Sequence, residues 1–291
     1  MINTSGFFGS VPDMQPPAHD GLELLQESQS GPYLLLKGHR NDRVVVYKCL
    51  QSGHQDDPVQ QRILRREYEI GVSLKHPGIC ETLDWVTLPG YGDAIEMEWI
   101  DGEPLDVWLS THGDAALRAR VLCDICDALS YIHHKQVIHK DLKPENILIT
   151  RSGGYAKILD FGLSDTDSIL TGKGPAGTLK YAAPEVVDGR RADALSDIYS
   201  LGMIMKDMGP AFSRLARRCT RADRERRYSS VDELRSDLEH VGRRGPLTWL
   251  ALAAFLLMAG LVLWLVLRRA DPVEELFLDA VEQVRGASNR P

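Results

Sequence analysis

The chain has 291 residues, 43% hydrophobic and 26% charged, which describes a folded protein of one large or two small domains with a real core. Its net charge of −7 lacks the basic excess that nucleic-acid binding needs, so no nucleic-acid partner is expected. Cys49, Cys80, Cys123, Cys126 and Cys219 are an odd, scattered set, which argues for a reducing compartment over a disulfide framework.

Residues 1–20 hold Gly, Ser, Pro and Asp without periodicity and read as a disordered leader. Phe7-Phe8 is too short an apolar run for a signal peptide, and no Lys or Arg precedes it. From Leu22 the pattern becomes strand-like. Tyr33-Leu34-Leu35-Leu36 and Val44-Val45-Val46-Tyr47 are β-rich runs, and Gly38-His39-Arg40-Asn41-Asp42 between them has the composition of a hairpin turn. Lys48 ends the second run. Residues 58–75 read as a helix opened by Asp57-Pro58, with Pro at its first position. Residues 94–102 read as a strand running into a turn.

A second helix is expected from about residue 114 to 134. Cys123-x-x-Cys126 lies within it, but Leu117, Val121, Leu122, Ile125, Leu129 and Ile132 recur there at helical spacing and no second cysteine pair exists. Core packing therefore outweighs zinc binding. Next comes His139-Lys140-Asp141-Leu142-Lys143-Pro144-Glu145-Asn146, a polar loop between the apolar runs Val137-Ile138 and Ile147-Leu148-Ile149. An acid, a cation and an amide can converge there. Phosphoryl transfer needs such a set: an Asp to orient and deprotonate a hydroxyl, a Lys to neutralise the moving phosphoryl group, an Asn to hold a metal. A polar loop without chemistry is the plain alternative for the motif by itself.

Asp160-Phe161-Gly162 follows a short strand pattern, Ala156-Lys157-Ile158-Leu159, and Ala183-Pro184-Glu185 comes later. With the loop at 139–146, these motifs resemble the eukaryotic-like (Hanks-type) protein kinase family, serine/threonine branch, over about residues 21–241. The resemblance implies an α+β, two-lobed protein kinase fold, with a small β-rich lobe and a mainly helical one. It implies ATP and Mg²⁺ (Mn²⁺ in its place) as cofactors and protein Ser/Thr hydroxyls as substrate. Asp141 and Lys143 would be catalytic, and Asn146 and Asp160 would hold the metal. Lys48, paired with Glu67, would position the ATP phosphates. Met97 would be the gatekeeper of the adenine pocket, with the backbone of Glu98 and Ile100 bonding adenine. The resemblance also carries over Asp197, as a cap on the catalytic-loop backbone, and Arg227, as the partner of Glu185. Thr166, Ser168, Thr171 and Thr178 fall in the activation segment.

The chain departs from the family pattern at several places, one of them Lys140, where the family has Arg before the catalytic Asp. The glycine-rich loop, counted back from Lys48, falls on Gln26-x-Ser28-x-x-Gly31, so only its third glycine remains and Ser28 and Gly31 are left to meet the phosphates. Val46 replaces a small residue two before the lysine. The stretch from Asp197 to Arg227 is about half as long as the family uses, so the large lobe is expected to be shortened, with Met208-Gly209-Pro210 leading into a helix over 211–219. Such a compact design suggests a bacterial member.

Leu247 to Leu267 carries no charge, and at ~1.5 Å per residue it spans a ~30 Å hydrocarbon core. Trp249 and Trp264 lie near its ends, and Arg243-Arg244 and Arg268-Arg269 bracket it. Arginines are denser on its N-terminal side, which leans that side inward. Asp271-Pro272-Val273-Glu274 then offers a helix start, and Val273, Leu276, Phe277, Ala280, Val281 and Val284 recur on one stripe. The expected organisation is a leader at 1–20, a kinase domain at 21–245, a transmembrane helix at 246–268 and an amphipathic extracytoplasmic tail at 269–291. That describes a serine/threonine kinase held in the cell (inner) membrane by a single pass, its kinase domain cytoplasmic, with a homodimer through the tail as an option. A membrane pseudokinase scaffold, motivated by the eroded glycine loop, and a small-molecule kinase, motivated by the shortened lobe, are the rivals.

Overall fold

The computed structural model describes residues 21–28, 31–161, 176–242 and 246–287; side chains are undescribed at 176–178 and 242, and on the last helix they are described only at 253–267 and 277–285. The chain divides into two compact units, Met1–Val241 and Gly242–Pro291.

The first unit begins with an antiparallel sheet of β1 (Glu23–Glu27), β2 (Tyr33–Arg40), β3 (Arg43–Leu50), β4 (Thr82–Leu88) and β5 (Gly92–Glu98), in the order β1-β2-β3-β5-β4. Leu34, Leu36, Val45, Tyr47 and Cys49 alternate onto one face and form a core there. Gly38 sits in β2 because a Cβ there would meet Leu22 at 2.8 Å and Tyr47 at 2.9 Å. The β2–β3 turn is tighter than its composition suggested. Gly38 to Arg40 belong to β2, and Asn41 (φ 48°) and Asp42 (φ 62°) alone make the turn. Both tolerate the left-handed region, and a two-residue turn of that kind matches the strand twist.

Helix α1 (Pro58–Ser73) packs against this sheet. Asp57 caps it by accepting from the Val59 N–H at 2.8 Å, with Pro58 at the first position, as its sequence foretold. It stops two residues earlier than expected, because Leu74 is already extended ahead of His76-Pro77.

The helical part is built on α3 (Ala115–His134) and α6 (Ala194–Asp207), whose inward residues Val121, Leu122, Ile125, Leu129, Ile198, Leu201 and Met205 share one core. Cys126 is buried in that core and Cys123 packs against it, as the helical spacing implied. α2 (Leu105–Thr111) precedes α3. A small sheet of β6 (Gly102–Pro104), β7 (Ile147–Thr150) and β8 (Ala156–Ile158) lies beside them, in that order. α4 (Ala176–Tyr181) and α5 (Pro184–Val187) lead to α6. After α6 come a 3₁₀ turn at Pro210–Phe212, α7 (Ser213–Cys219), a second 3₁₀ turn at Arg224–Arg226 and α8 (Val231–Gly242). The helix expected over 211–219 is present from Ser213, and its first residues are 3₁₀ in form.

The second unit is one helix, α9 (Pro246–Ala287). A break at Asp271-Pro272 was expected, and the helix runs through it. Proline lacks an N–H and costs about 3 kcal/mol in a helix interior. The strong helix formers on both sides, Leu265 to Ala270 and Glu274 to Ala280, favour continuation over a new start. Among the described residues no helix is long and apolar enough to cross a membrane. The described side chains of α9 from Ala253 to Leu267 are all exposed, Leu257 at 75%.

Candidate active site

β3 alternation sends Tyr47 and Cys49 into the sheet core and Lys48 to the opposite face. The Lys48 ammonium donates to Glu67 Oε1 at 2.7 Å and to Asp160 Oδ1 at 2.8 Å, so α1 and the segment after β8 meet at one cation. Burial works against that charge, but Asp160 and Glu67 outweigh it and hold the Lys48 pKa above its usual value. Glu67 carries the cost of the shared site. Burial pushes its carboxyl up to about 8 against the pull of Lys48, and its Oε2 is buried without a hydrogen-bond partner among the described residues. The pairing expected of Lys48 and Glu67 is therefore closed.

The loop 139–146 is shaped by a buried anchor. Asp197, in the first turn of α6, accepts the His139 and Lys140 backbone N–H groups at 2.9 Å each. It also bonds His133 Nε2 at 2.8 Å. Burial alone would raise this carboxyl; the His133 hydrogen bond and the His139 N–H hold it below the usual range. The grip forces Lys140 to φ 66°, a conformation that a non-glycine residue adopts only under such constraint. His139 bridges Nε2 to the Leu159 carbonyl at 2.9 Å and accepts the Asp141 N–H at Nδ1 at 3.3 Å, which fixes the ring with its proton on Nε2.

Asp141, Lys143 and Asn146 then converge as the sequence implied. Lys143 Nζ donates to Asp141 Oδ2 at 2.7 Å. Asn146 Nδ2 donates to the Asp141 carbonyl at 2.8 Å and to its Oδ2 at 3.2 Å. That leaves the Asn146 amide oxygen as its acceptor. The Leu159 N–H donates to the Asn146 carbonyl at 2.9 Å, which sets Asp160 one residue away. Asp160 itself is at φ 60°, and its side chain is 41% exposed. Asp160 and Asn146 thus offer one carboxylate and one amide oxygen to a hard cation. Among the described residues no three His, Cys, Asp or Glu side chains form a metal cluster. A two-donor site still fits Mg²⁺, which keeps most of its shell as water and phosphate oxygens.

The predicted adenine contacts lie at the end of β5. Glu98 is fixed there: its N–H donates to the Glu81 carbonyl at 3.0 Å, and its side chain pairs with Lys157. Ile100 is buried beyond it. The Glu98 N–H is thus already used, and the Cys80 thiol lies 4.0 Å from its carbonyl. Ser28 and Gly31 bracket the β1–β2 turn, but Gln26 does not belong to it. Gln26 pairs with Leu35 inside the sheet, past an irregularity in β1, so the pattern counted from Lys48 begins within β1. Within the turn, Gly31 donates its N–H to Ser28 Oγ at 2.8 Å. Arg227 meets Glu185 as expected. Thr166, Ser168 and Thr171 lie outside the described residues, as does the Thr178 side chain.

Sequence reasoning passed over two residues at the site. Tyr33 places its ring over the Lys48 ammonium, 4.6 Å from centroid to Nζ, and was read only as the start of a strand. His133 was read only as a helix end, and a histidine close ahead of the catalytic loop was its sole signal.

Residues 27–236 match the protein kinase domain family model. The chain belongs to the protein kinase family. Among similar proteins, the chain is 34% identical over 184 residues to the serine/threonine-protein kinase PknB of Mycolicibacterium smegmatis, which covers 60% of this chain and 29% of that one. It is 35% identical over 184 residues to a probable serine/threonine-protein kinase of Streptomyces coelicolor, covering 58% and 26%. It is 42% identical over 138 residues to the serine/threonine-protein kinase Pkn1 of Myxococcus xanthus, covering 45% and 20%. The chain spans less than a third of the length of these curated relatives. The β-rich and helical parts described above are the two lobes of this family's fold.

Proposed function

We propose that this chain is an ATP-dependent serine/threonine protein kinase that moves the γ-phosphoryl group of ATP onto protein Ser or Thr hydroxyls. The observation that carries the reading is the closed set Glu67–Lys48–Asp160 beside Asp141, Lys143 and Asn146. Asp141 orients the substrate hydroxyl and takes its proton as the oxygen–phosphorus bond forms. The bond from the γ-phosphorus to the β–γ bridging oxygen breaks, and ADP leaves. Lys143 neutralises the γ-phosphoryl oxygens, and Lys48, set by Glu67, positions the α- and β-phosphates. Asn146 and Asp160 would hold Mg²⁺, or Mn²⁺ in its place, which when bound offsets the charge of the phosphates. Positioning and charge stabilisation supply most of the rate.

The uncharged run Leu247–Leu267 within α9 supports a single membrane pass, with the kinase domain on the cytoplasmic side of the cell membrane, where ATP is. The stripe that includes Phe277, Val281 and Val284 supports either rest on the outer membrane surface or pairing into a homodimer.

A scaffold without phosphotransfer is the second reading, favoured by the Gly31 N–H already bonded within its own turn. Incubating the full chain in detergent with labelled ATP, a divalent metal and a generic protein substrate separates the two. Phosphoserine or phosphothreonine is expected. No incorporation, with nucleotide still bound, would favour the scaffold.

A further inference from the structure

A strongly basic stretch stands out in this acidic chain. Between Ser213 and Arg227 there are seven arginines against two acids, Asp223 and Glu225, in a protein of net charge −7. Four of the seven are committed. Arg227 grips Glu185, Arg224 pairs with Asp193, Arg226 pairs with Asp223, and Arg218 reaches Glu233 and Asp237 on α8. The other three, Arg214, Arg217 and Arg221, are exposed and pair with no carboxylate among the described residues. Arg217 bonds the Ser213 carbonyl of its own helix at 3.3 Å.

These three charges are presented by a helix that cannot turn. α7 buries Leu215, Ala216 and Cys219 in the lobe's core. It lies so close to α6 that a Cβ on Gly202 would clash with Cys219. Arg214 and Arg217 stand one turn apart on the opposite side, as the helical period requires. Arg221 follows at the next turn, just past the Thr220 cap, and its carbonyl is held by Arg227 Nε at 2.8 Å. The result is a fixed row of positive charge with its long side chains free in solvent.

We propose that Arg214, Arg217 and Arg221 dock this lobe onto the anionic headgroups of a phospholipid bilayer. The inference rests on the single-pass reading of Leu247–Leu267. Two observations point to lipid as the occupant. The first is charge: a row of unpaired arginines fits a surface that offers many phosphates and needs no fixed pocket. The second is chain order. Asp237, which Arg218 reaches, lies four residues, about 6 Å along α8, before Val241. From there residues 242–246 cover at most ~18 Å before the uncharged run begins. A chain held in a bilayer by that run therefore keeps the α7 row within reach of headgroups.

The test uses the full chain, one copy per bilayer disc, so that a second copy cannot cover the row. Discs are made of phosphatidylcholine alone or of phosphatidylcholine mixed with phosphatidylglycerol. Amide hydrogen exchange is read over residues 213–227. Exchange is expected to be slower in the anionic discs and to return to the neutral-disc rate at high salt. The three arginines together are worth about a hundredfold in the docked-to-free ratio, at about fivefold each. The combined Arg214→Gln, Arg217→Gln and Arg221→Gln variant should therefore exchange at one rate in both discs. The matching lysine variant, which keeps the charge, should stay protected in the anionic discs. Equal exchange of the unmodified chain in the two discs overturns the inference, and so does protection that survives in the glutamine variant. Loss of protection in the lysine variant also overturns it, because a bidentate site for a single phosphate would then be at work and not a charged surface. Carbonate extraction of membranes separates the two readings. A chain that carbonate strips off fails the single-pass reading and takes this inference with it, whereas an inserted chain without lipid-dependent protection sinks this inference alone.

Discussion

Arg227 grips Glu185 through two parallel hydrogen bonds of 2.8 Å, Nη1 to Oε1 and Nη2 to Oε2, and both side chains are buried. Ser196 Oγ adds a third donor to the carboxylate at 2.9 Å. The arginine is held in turn by the Leu195 and Arg221 carbonyls, at 3.0 and 2.8 Å. This fork joins the segment before α6 to the start of the last part of the lobe. Burial would raise the Glu185 carboxyl, but Arg227, its own backbone and Ser196 draw it down to about 2. A carboxyl whose pKa is lower folded than unfolded stabilises the fold above the unfolded value, near 4.3. That stability is lost as pH falls from there toward 2. Thermal unfolding against pH should therefore show a loss of melting temperature below about pH 4.3, and Glu185→Gln should flatten that limb. Arg227→Met, which leaves a buried carboxylate unpaired, should cost about 3–5 kcal/mol.

A second pair makes a prediction about stability and chemistry at once. Lys48→Met removes the cation from between Glu67 and Asp160, so phosphotransfer should vanish and the melting temperature should fall. Glu67→Leu added to that variant removes the stranded buried carboxylate. The double variant should recover much of the lost thermal stability and none of the activity. If it melts no higher than Lys48→Met alone, the destabilisation does not come from the unpaired Glu67 and the ion-pair account of this site is wrong.

The chemistry of this molecule was more legible than its geometry. Asp141, Lys143, Asn146 and Asp160 stand in short motifs that the resemblance names, so they could be picked out without a fold, and the structure brings them together. Glu67 and Asp197 came from position within the resemblance, and the structure brings both to their expected partners. The glycine pattern counted back from Lys48 starts in β1, at Gln26, and its Ser28 and Gly31 fall in the β1–β2 turn. Tyr33 was missed because a tyrosine at a strand start signals only β propensity; what matters is the face it shares with Lys48, which pairing register decides. The continuity of α9 was missed for a related reason. Asp-Pro reads locally as a helix start, and only the run of helix formers on both sides overrides it.

Asp141→Asn tests the assignment of the base. The Asp141 carboxylate holds Lys143 and Asn146, and asparagine preserves its shape and one acceptor oxygen. Nucleotide binding should survive, since Lys48 and Asp160 are untouched. Phosphotransfer should fall by about 10²–10⁴-fold, the usual contribution of a positioned base. Equal phosphate incorporation by the unmodified chain and the variant would remove Asp141 from the mechanism.

α9 carries the last prediction. Phe277, Val281 and Val284 lie at helical spacing on one face and are 70%, 48% and 72% exposed. Exposed apolar side chains at that spacing call for a lipid surface or a second helix. Because α9 is continuous through Pro272, this face is rigidly joined to the uncharged run before it, and two copies pairing along it would be held in register. Pairing would raise the local concentration of one kinase domain near another and speed phosphorylation in trans. Phe277→Ser combined with Val284→Ser should therefore lower crosslinked dimer in membranes and slow autophosphorylation, while phosphorylation of an added substrate by a fixed amount of phosphorylated enzyme stays the same. The partition is measurable in one preparation, by crosslinking and by the dependence of autophosphorylation rate on protein density in the bilayer. Unaltered dimer yield with an unaltered rate would rule out pairing through this face.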